Sequence, residues 1–176
     1  RGDLNPARFY LGQIAEQAKR LDDALVWYDA VAAGEHVVSA KVRAAQILLR
    51  QNKLGEARER LSAARASAPG EVRLLVAEAQ LLRDAGQHAE AYAFLDRALE
   101  SQPDQPEILY ETALAAEKLG YVELLERHLR RLLILKPDSA QAYNALGYSF
   151  ADRNIRIEEA AQLIDKALSL APDDPF

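Results

Sequence analysis

The sequence predicts an all-α solenoid built from about five helical hairpins. Proline recurs at a fixed interval, apolar residues recur in columns spaced for one helical face, and short polar turns divide each interval in two. Pro69, Pro103 and Pro137 stand 34 residues apart, and Pro172 follows after 35. Against that ruler Ala57, Ala91, Leu125 and Ala160 align, with Leu61, Leu95, Leu129 and Ile164 four residues on and Ala64, Ala98, Leu132 and Ala167 three further. Steps of four and three keep all three columns on one side of a helix.

The first unit spans residues 5–37 and is one residue out of step with the others, with Leu11-Gly12, Ala24, Tyr28 and Val31 in the frame. Its linker, Gly34-Glu35-His36, has no proline. The second, 38–71, places Ala44-Ala45 and Leu48 before a turn at Asn52-Lys53-Leu54-Gly55. The third, 72–105, repeats this with Glu78-Ala79 and Leu82, then Ala85-Gly86-Gln87. The fourth, 106–139, has Thr112-Ala113 and Ala116, then Leu119-Gly120-Tyr121. The fifth, 140–173, has Leu146-Gly147 and Phe150, then a turn one residue longer, Arg153-Asn154-Ile155-Arg156.

The period has a physical reason. Two helices of about 12 residues cannot shield their apolar faces alone, but stacking successive pairs makes one continuous core. Small residues at Gly12, Ala45, Ala79, Ala113 and Gly147 let paired helices approach, and leucine at any of them should overpack by about 1–3 kcal/mol. Ala24, Ala57, Ala91, Leu125 and Ala160 are the matching packing positions on the second helices. Proline after a second helix cannot continue the hydrogen-bond ladder and forces its predecessor out of helical geometry, so it fixes where each unit ends.

Composition excludes several chemistries. At 49% hydrophobic residues the chain of 176 can fill a core, and 22 basic against 27 acidic side chains, net -5, are mixed along its length. That balance gives no concentrated positive surface for a nucleic-acid backbone. With no cysteine there is no disulfide, thiolate nucleophile or cysteine-ligated metal. His36, His88 and His128 fall in a linker, at a turn and within a second helix, without metal-ligand spacing. No nucleophile elbow, phosphate loop or dinucleotide fingerprint occurs, so neither an enzyme, a cofactor nor a metal is expected. No stretch reaches the roughly 20 apolar residues of a membrane span. The opening Arg1-Gly2 and the ending Asp173-Asp174-Pro175-Phe176 read as cuts within a longer array.

The column pattern resembles the tetratricopeptide repeat (TPR), whose signature is a large residue, Leu-Gly, an aromatic, then Ala, Phe, Ala and Pro at set intervals. The fifth unit matches best, with Tyr143, Leu146-Gly147, Phe150, Ala160, Ile164, Ala167 and Pro172. Leu125, Arg8 and Lys41 depart from it. The resemblance implies a right-handed superhelix whose first helices line a concave groove. That groove would hold Phe9, Val42, Val76, Tyr110 and Asn144, with Gln13, Gln46, Gln80, Leu114 and Tyr148 one turn further along. An apolar rail beside a partly amide rail suits an extended peptide or a helix. The convex side would carry i,i+4 pairs such as Glu56 with Arg60 and Glu126 with Arg130.

Residues 143–153, with Arg156, Glu159-Ala160, Leu163-Ile164, Ala167-Leu168 and Pro172, are similar to late repeats of bacterial outer-membrane lipoproteins of this family. Some of these are adaptors of a periplasmic carboxyl-terminal processing protease. The resemblance implies a protein or peptide partner, including that protease or its substrates, and a periplasmic address with the lipid anchor upstream; a cytoplasmic address is the alternative. Two other readings stand beside the binding scaffold. One is a self-associating array, using the apolar first unit around Phe9, Tyr10, Trp27 and Tyr28 and the end at Phe176; the other is a regulatory domain of a larger enzyme.

Overall fold

A computed structural model describes residues 3–172, so the expectations placed on Arg1-Gly2 and on 173–176, Phe176 among them, lie outside the described residues. Ten α-helices and no strand occur among the described residues. They are α1 (Asn5–Gln17), α2 (Leu21–Asp29), α3 (Val37–Arg50), α4 (Leu54–Ser67), α5 (Val72–Asp84), α6 (His88–Ser101), α7 (Pro106–Lys118), α8 (Val122–Leu135), α9 (Ala140–Asp152) and α10 (Ile157–Leu170). The chain divides into two compact units, Arg1–Ala85 and Gly86–Phe176.

Local chemistry sets the boundaries. The residues closing α4, α6, α8 and α10 are Ala68, Gln102, Lys136 and Ala171, with φ of -134°, -135°, -131° and -141°. Each precedes a proline, and the clash with the proline ring is what drives it out of helical backbone. Pro6 and Pro106 occupy the first turns of α1 and α7, where a missing N–H costs nothing. Ser139 caps α9 through its side chain, which accepts from the Ala142 N–H at 3.3 Å. The turns inside the hairpins pass through left-handed backbone at Lys19, Asn52, Gly86, Gly120 and Asn154. Glycine adopts that region without strain, and asparagine is the commonest substitute.

In the first unit, α1 pairs with α2 and α3 with α4, and α5 packs on both α3 and α4. Phe9, Ala15, Ala24, Tyr28, Val31, Ala40, Ala44 and Ile47 form one core cluster. Ala45, Leu48, Ala57, Leu61, Leu74, Ala77 and Leu81 form another. Gly12 lies against the Tyr28 ring so closely that an added Cβ would sit 2.6 Å from it. Buried Glu78 of α5 meets Arg65 of α4 at 3.0 Å and Arg58 at 3.9 Å, which compensates a carboxylate taken out of water.

In the second unit, α6 packs on α7, α7 on α8, α8 on α9 and α9 on α10. Ile108, Leu125, Leu129, Leu146 and Phe150 are fully buried. His128, expected within a second helix, is buried on α8, and burial followed by the neighbouring Arg127 charge pulls its pKa down.

A four-membered ion network joins α8 to α10. Arg130 bonds Glu126 at 2.7 Å and Glu159 at 2.6 Å, and Arg156 bonds Glu126 and approaches Glu159 at 3.6 Å. The Arg156 hydrogen bond is the main reason that the Glu126 carboxyl is pulled down to about 2, with Arg130 adding to it. Since the folded-state value lies below the unfolded one, this stabilisation is present above about pH 4.5 and fades as pH falls toward about 2. We expect Glu126→Gln to lower stability by up to about 1 kcal/mol at pH 7 and to flatten the acid limb of the unfolding curve, read by urea melts at pH 7 and pH 3.

The expected pair between Glu56 and Arg60 is replaced. Arg60 reaches back to Asp29 of α2, Nη1 to Oδ1 at 2.6 Å, because an inter-helix carboxylate lies nearer its head group.

Candidate protein-binding face

The ten packing positions, Gly12, Ala24, Ala45, Ala57, Ala79, Ala91, Ala113, Leu125, Gly147 and Ala160, are all buried. The groove candidates divide. Phe9 is a correction: it is buried, stacked on His36 with ring centroids 4.5 Å apart and 5.9 Å from Tyr28. Its neighbour Tyr10 takes the exposed position instead. Val42 packs against the core cluster shared by α3, α4 and α5, so most of its surface serves stacking. Val76, Gln80, Tyr110, Leu114 and Asn144 are half-buried, while Gln46 and Tyr148 stand exposed.

The first helices α1 and α3 bring together a constellation that the repeat pattern does not assemble. Glu16 on α1 accepts a hydrogen bond from Arg50 Nη2 at 2.7 Å on one oxygen. Its other oxygen accepts from Arg43 Nη1 at 3.2 Å and from the Tyr28 hydroxyl at 2.8 Å. Gln13 and Gln17 complete a cleft of about 290 Å³ around these groups.

Glu16 is only 16% exposed, whereas Arg43 and Arg50 are 40% and 50% exposed. The carboxylate is thus the buried anchor and the guanidinium groups are the surface it presents. Burial first, and then the bond to Glu16, push the Tyr28 hydroxyl up to about 12, so it stays protonated and donating at any ordinary pH. Each guanidinium carries five donors. With two cations around one anion, donors and one positive charge remain to face a ligand.

Glu16 and Arg50 are 34 residues apart, but in the shifted frame of the first unit the position equivalent to Glu16 is Leu49, so the repeat does not by itself pair them. The second unit uses the same device. Glu117 of α7 accepts from Arg153 at 2.7 Å and from the Ser149 hydroxyl at 2.9 Å, next to exposed Tyr148 on α9. Among the described residues there is no cluster fit to hold a metal ion, and no helix long and apolar enough to cross a membrane.

Two family models described as tetratricopeptide repeat match, one over residues 48–117 and the other over 5–36 and 109–175. The chain belongs to the tetratricopeptide repeat family. Its fold is accordingly the all-α TPR fold, and TPR domains in general bind proteins or peptides. TPR repeat-containing protein PA4667 of Pseudomonas aeruginosa is 36% identical over 173 residues, or 98% of this chain. The chain spans 29% of that relative's length.

Among solved structures, YrrB, a TPR protein with an unusual peptide-binding site, superposes with a TM-score of 0.61 at 20% identity, over 94% of this chain and 86% of its own. MamA from Desulfovibrio magneticus RS-1 gives 0.66 at 15% identity, over 99% of both chains. These likenesses bear on the TPR fold alone.

Proposed function

We propose that this chain is a noncatalytic binding scaffold that holds an acidic segment of a partner polypeptide on the face formed by α1 and α3. The observation that carries the reading is the Glu16 anchor with Arg43 and Arg50 spread over it. A partner carboxylate meets guanidinium groups already fixed in place, which lowers the side-chain ordering that binding would otherwise require. The amides of Gln13, Gln17 and exposed Gln46 are suited to the partner's main-chain groups.

The adaptor role is the finer form of this proposal, with recruitment of a partner to a periplasmic carboxyl-terminal processing protease from an outer-membrane anchor. What supports it is the resemblance of residues 143–172 to late repeats of such adaptors.

The test is affinity capture from the native host's extract with wild-type chain, with Arg43→Gln combined with Arg50→Gln, and with Arg97→Gln as an exposed control. Capture by the double variant should fall at least tenfold with helical circular dichroism retained, and wild-type capture should weaken as salt screens the charges. Equal capture by all three proteins would remove this face from consideration.

A further inference from the structure

The second helix of the first hairpin is short. α2 has 9 residues, whereas α4, α6, α8 and α10 each have 14. At about 1.5 Å per residue the shortfall is roughly 7.5 Å of helix. The chain instead leaves α2 at Asp29 and runs irregularly to α3, without the proline that ends the other units.

Facing the gap, the end of α4 and the residue after it contribute small side chains, Ala63, Ala64, Ser67 and Ala68. The result is a cavity of about 590 Å³ between α2, α3, α4 and the start of α5, walled by residues such as Val38, Ala64 and Leu74. That volume lies inside the roughly 300–1,000 Å³ range of ligand pockets.

The charges lining it do not balance. Arg60 is spoken for by Asp29, its Nη1 lying 2.6 and 2.7 Å from the two carboxylate oxygens. Lys41, at the same wall, is half-buried and makes no ion pair or hydrogen bond among the described residues. The first turn of α3 holds no acid that would offset it. An apolar cavity with one uncompensated ammonium at its wall suits an occupant bringing apolar surface and one negative charge.

This is not the face proposed above. Lys41 and Arg43 are two positions apart on α3, or roughly 200° around its axis, so they point to opposite sides.

We propose that the cavity is a second docking site, which takes a partner segment having an apolar side chain beside an aspartate or glutamate. The apolar group enters between α3 and α4, and the carboxylate pairs with Lys41. That the occupant is a polypeptide rests on the protein-binding reading. That its charge comes from a side chain follows from the single ammonium, since capture of a chain terminus takes several converging donors. Lys41 stands where the repeat pattern has a large residue, and the site gives that departure a use.

The test uses a dye-labelled peptide, Gly-Ser-Glu-Leu-Val-Ser-Gly, capped at both ends, and its twin with glutamine for glutamate, read by fluorescence anisotropy. On the Arg43→Gln, Arg50→Gln background, which removes the first face as a competitor for glutamate, the chain should bind the glutamate peptide at least tenfold more tightly than the twin. Lys41→Gln should abolish that difference, and Ala64→Leu, which fills the cavity, should block both peptides while circular dichroism is unchanged. A glutamate preference present in wild type and lost on the arginine-variant background belongs to the first face, so failure of the first face and failure of this one are separable.

No binding by wild type, equal binding of the twins, or loss in the arginine variant alone would overturn the proposal. So would binding that requires an uncapped carboxyl terminus, which assigns the site to chain ends. Sedimentation showing a dimer that Lys41→Gln dissolves would assign the cavity to a second copy of the chain, and would overturn it equally.

Discussion

Phe150→Ala is expected to cost about 3–5 kcal/mol, the largest effect of any single truncation considered for the second unit. Phe150 is fully buried on α9, in the Leu-Gly-x-x-Phe frame that defines its hairpin. Its ring also lies 3.9 Å beneath the Arg156 guanidinium, so truncation opens a cavity and removes a cation-π contact. For a chain of this size the loss corresponds to a fall in Tm of about 6–20 °C. Hydrogen exchange should locate the weakening in α9 and α10. A fall of less than about 3 °C would mean that the hairpin collapses around the missing ring, and that its packing is less specific than its burial implies.

Gly147→Leu is expected to destabilise by about 1–3 kcal/mol or more through the opposite fault. A Cβ at this position would lie 2.9 Å from Ile164 Cγ1, 3.0 Å from the Ala160 carbonyl oxygen and 3.1 Å from Leu163 Cβ. The carbonyl belongs to the backbone of α10 and cannot swing aside, so the helices themselves must separate. Gly55 supplies the internal control. It is helical too, but an added Cβ would meet nothing within 4 Å, and Gly55→Leu should be neutral or slightly stabilising. Urea denaturation of the two variants side by side decides the matter, and similar midpoints would contradict the close-approach account of Gly147.

The helical architecture could be read because its punctuation is chemical. Proline dictates the geometry of its predecessor wherever it stands, and helices α4, α6 and α8 begin at Leu54, His88 and Val122, the same 34-residue step that the prolines mark. Small residues at Gly12 and Gly147 could be assigned to helix contacts for a similarly local reason, since only a missing side chain admits Tyr28 or the Ala160 carbonyl.

The candidate face was harder to read. Whether Phe9 or Tyr10 turns outward depends on the register of the first unit, which no proline fixes, and on His36 offering a ring to stack upon. Val42 sits at a groove position by periodicity, but the core cluster of α3, α4 and α5 supplies a wall for it. Arg43 joined Glu16 through a contact spanning 27 residues, a separation that falls between repeat positions and so carries no periodic signal. The short α2 was equally silent, because three of the four residues that follow its last residue, Asp29, are alanines, which are good helix formers elsewhere.

Arg156 carries a φ of 45°, backbone that a residue with a Cβ enters only at a cost. Its side chain is held by Glu126, Glu159 and the Phe150 ring. The longer turn of the last hairpin is thus closed by a latch made of distant acids and an aromatic face, whereas a glycine suffices at Gly86 and Gly120. A latch of ions loosens in brine and a glycine hinge does not, so ionic strength acts on one corner of this array and leaves its counterparts untouched.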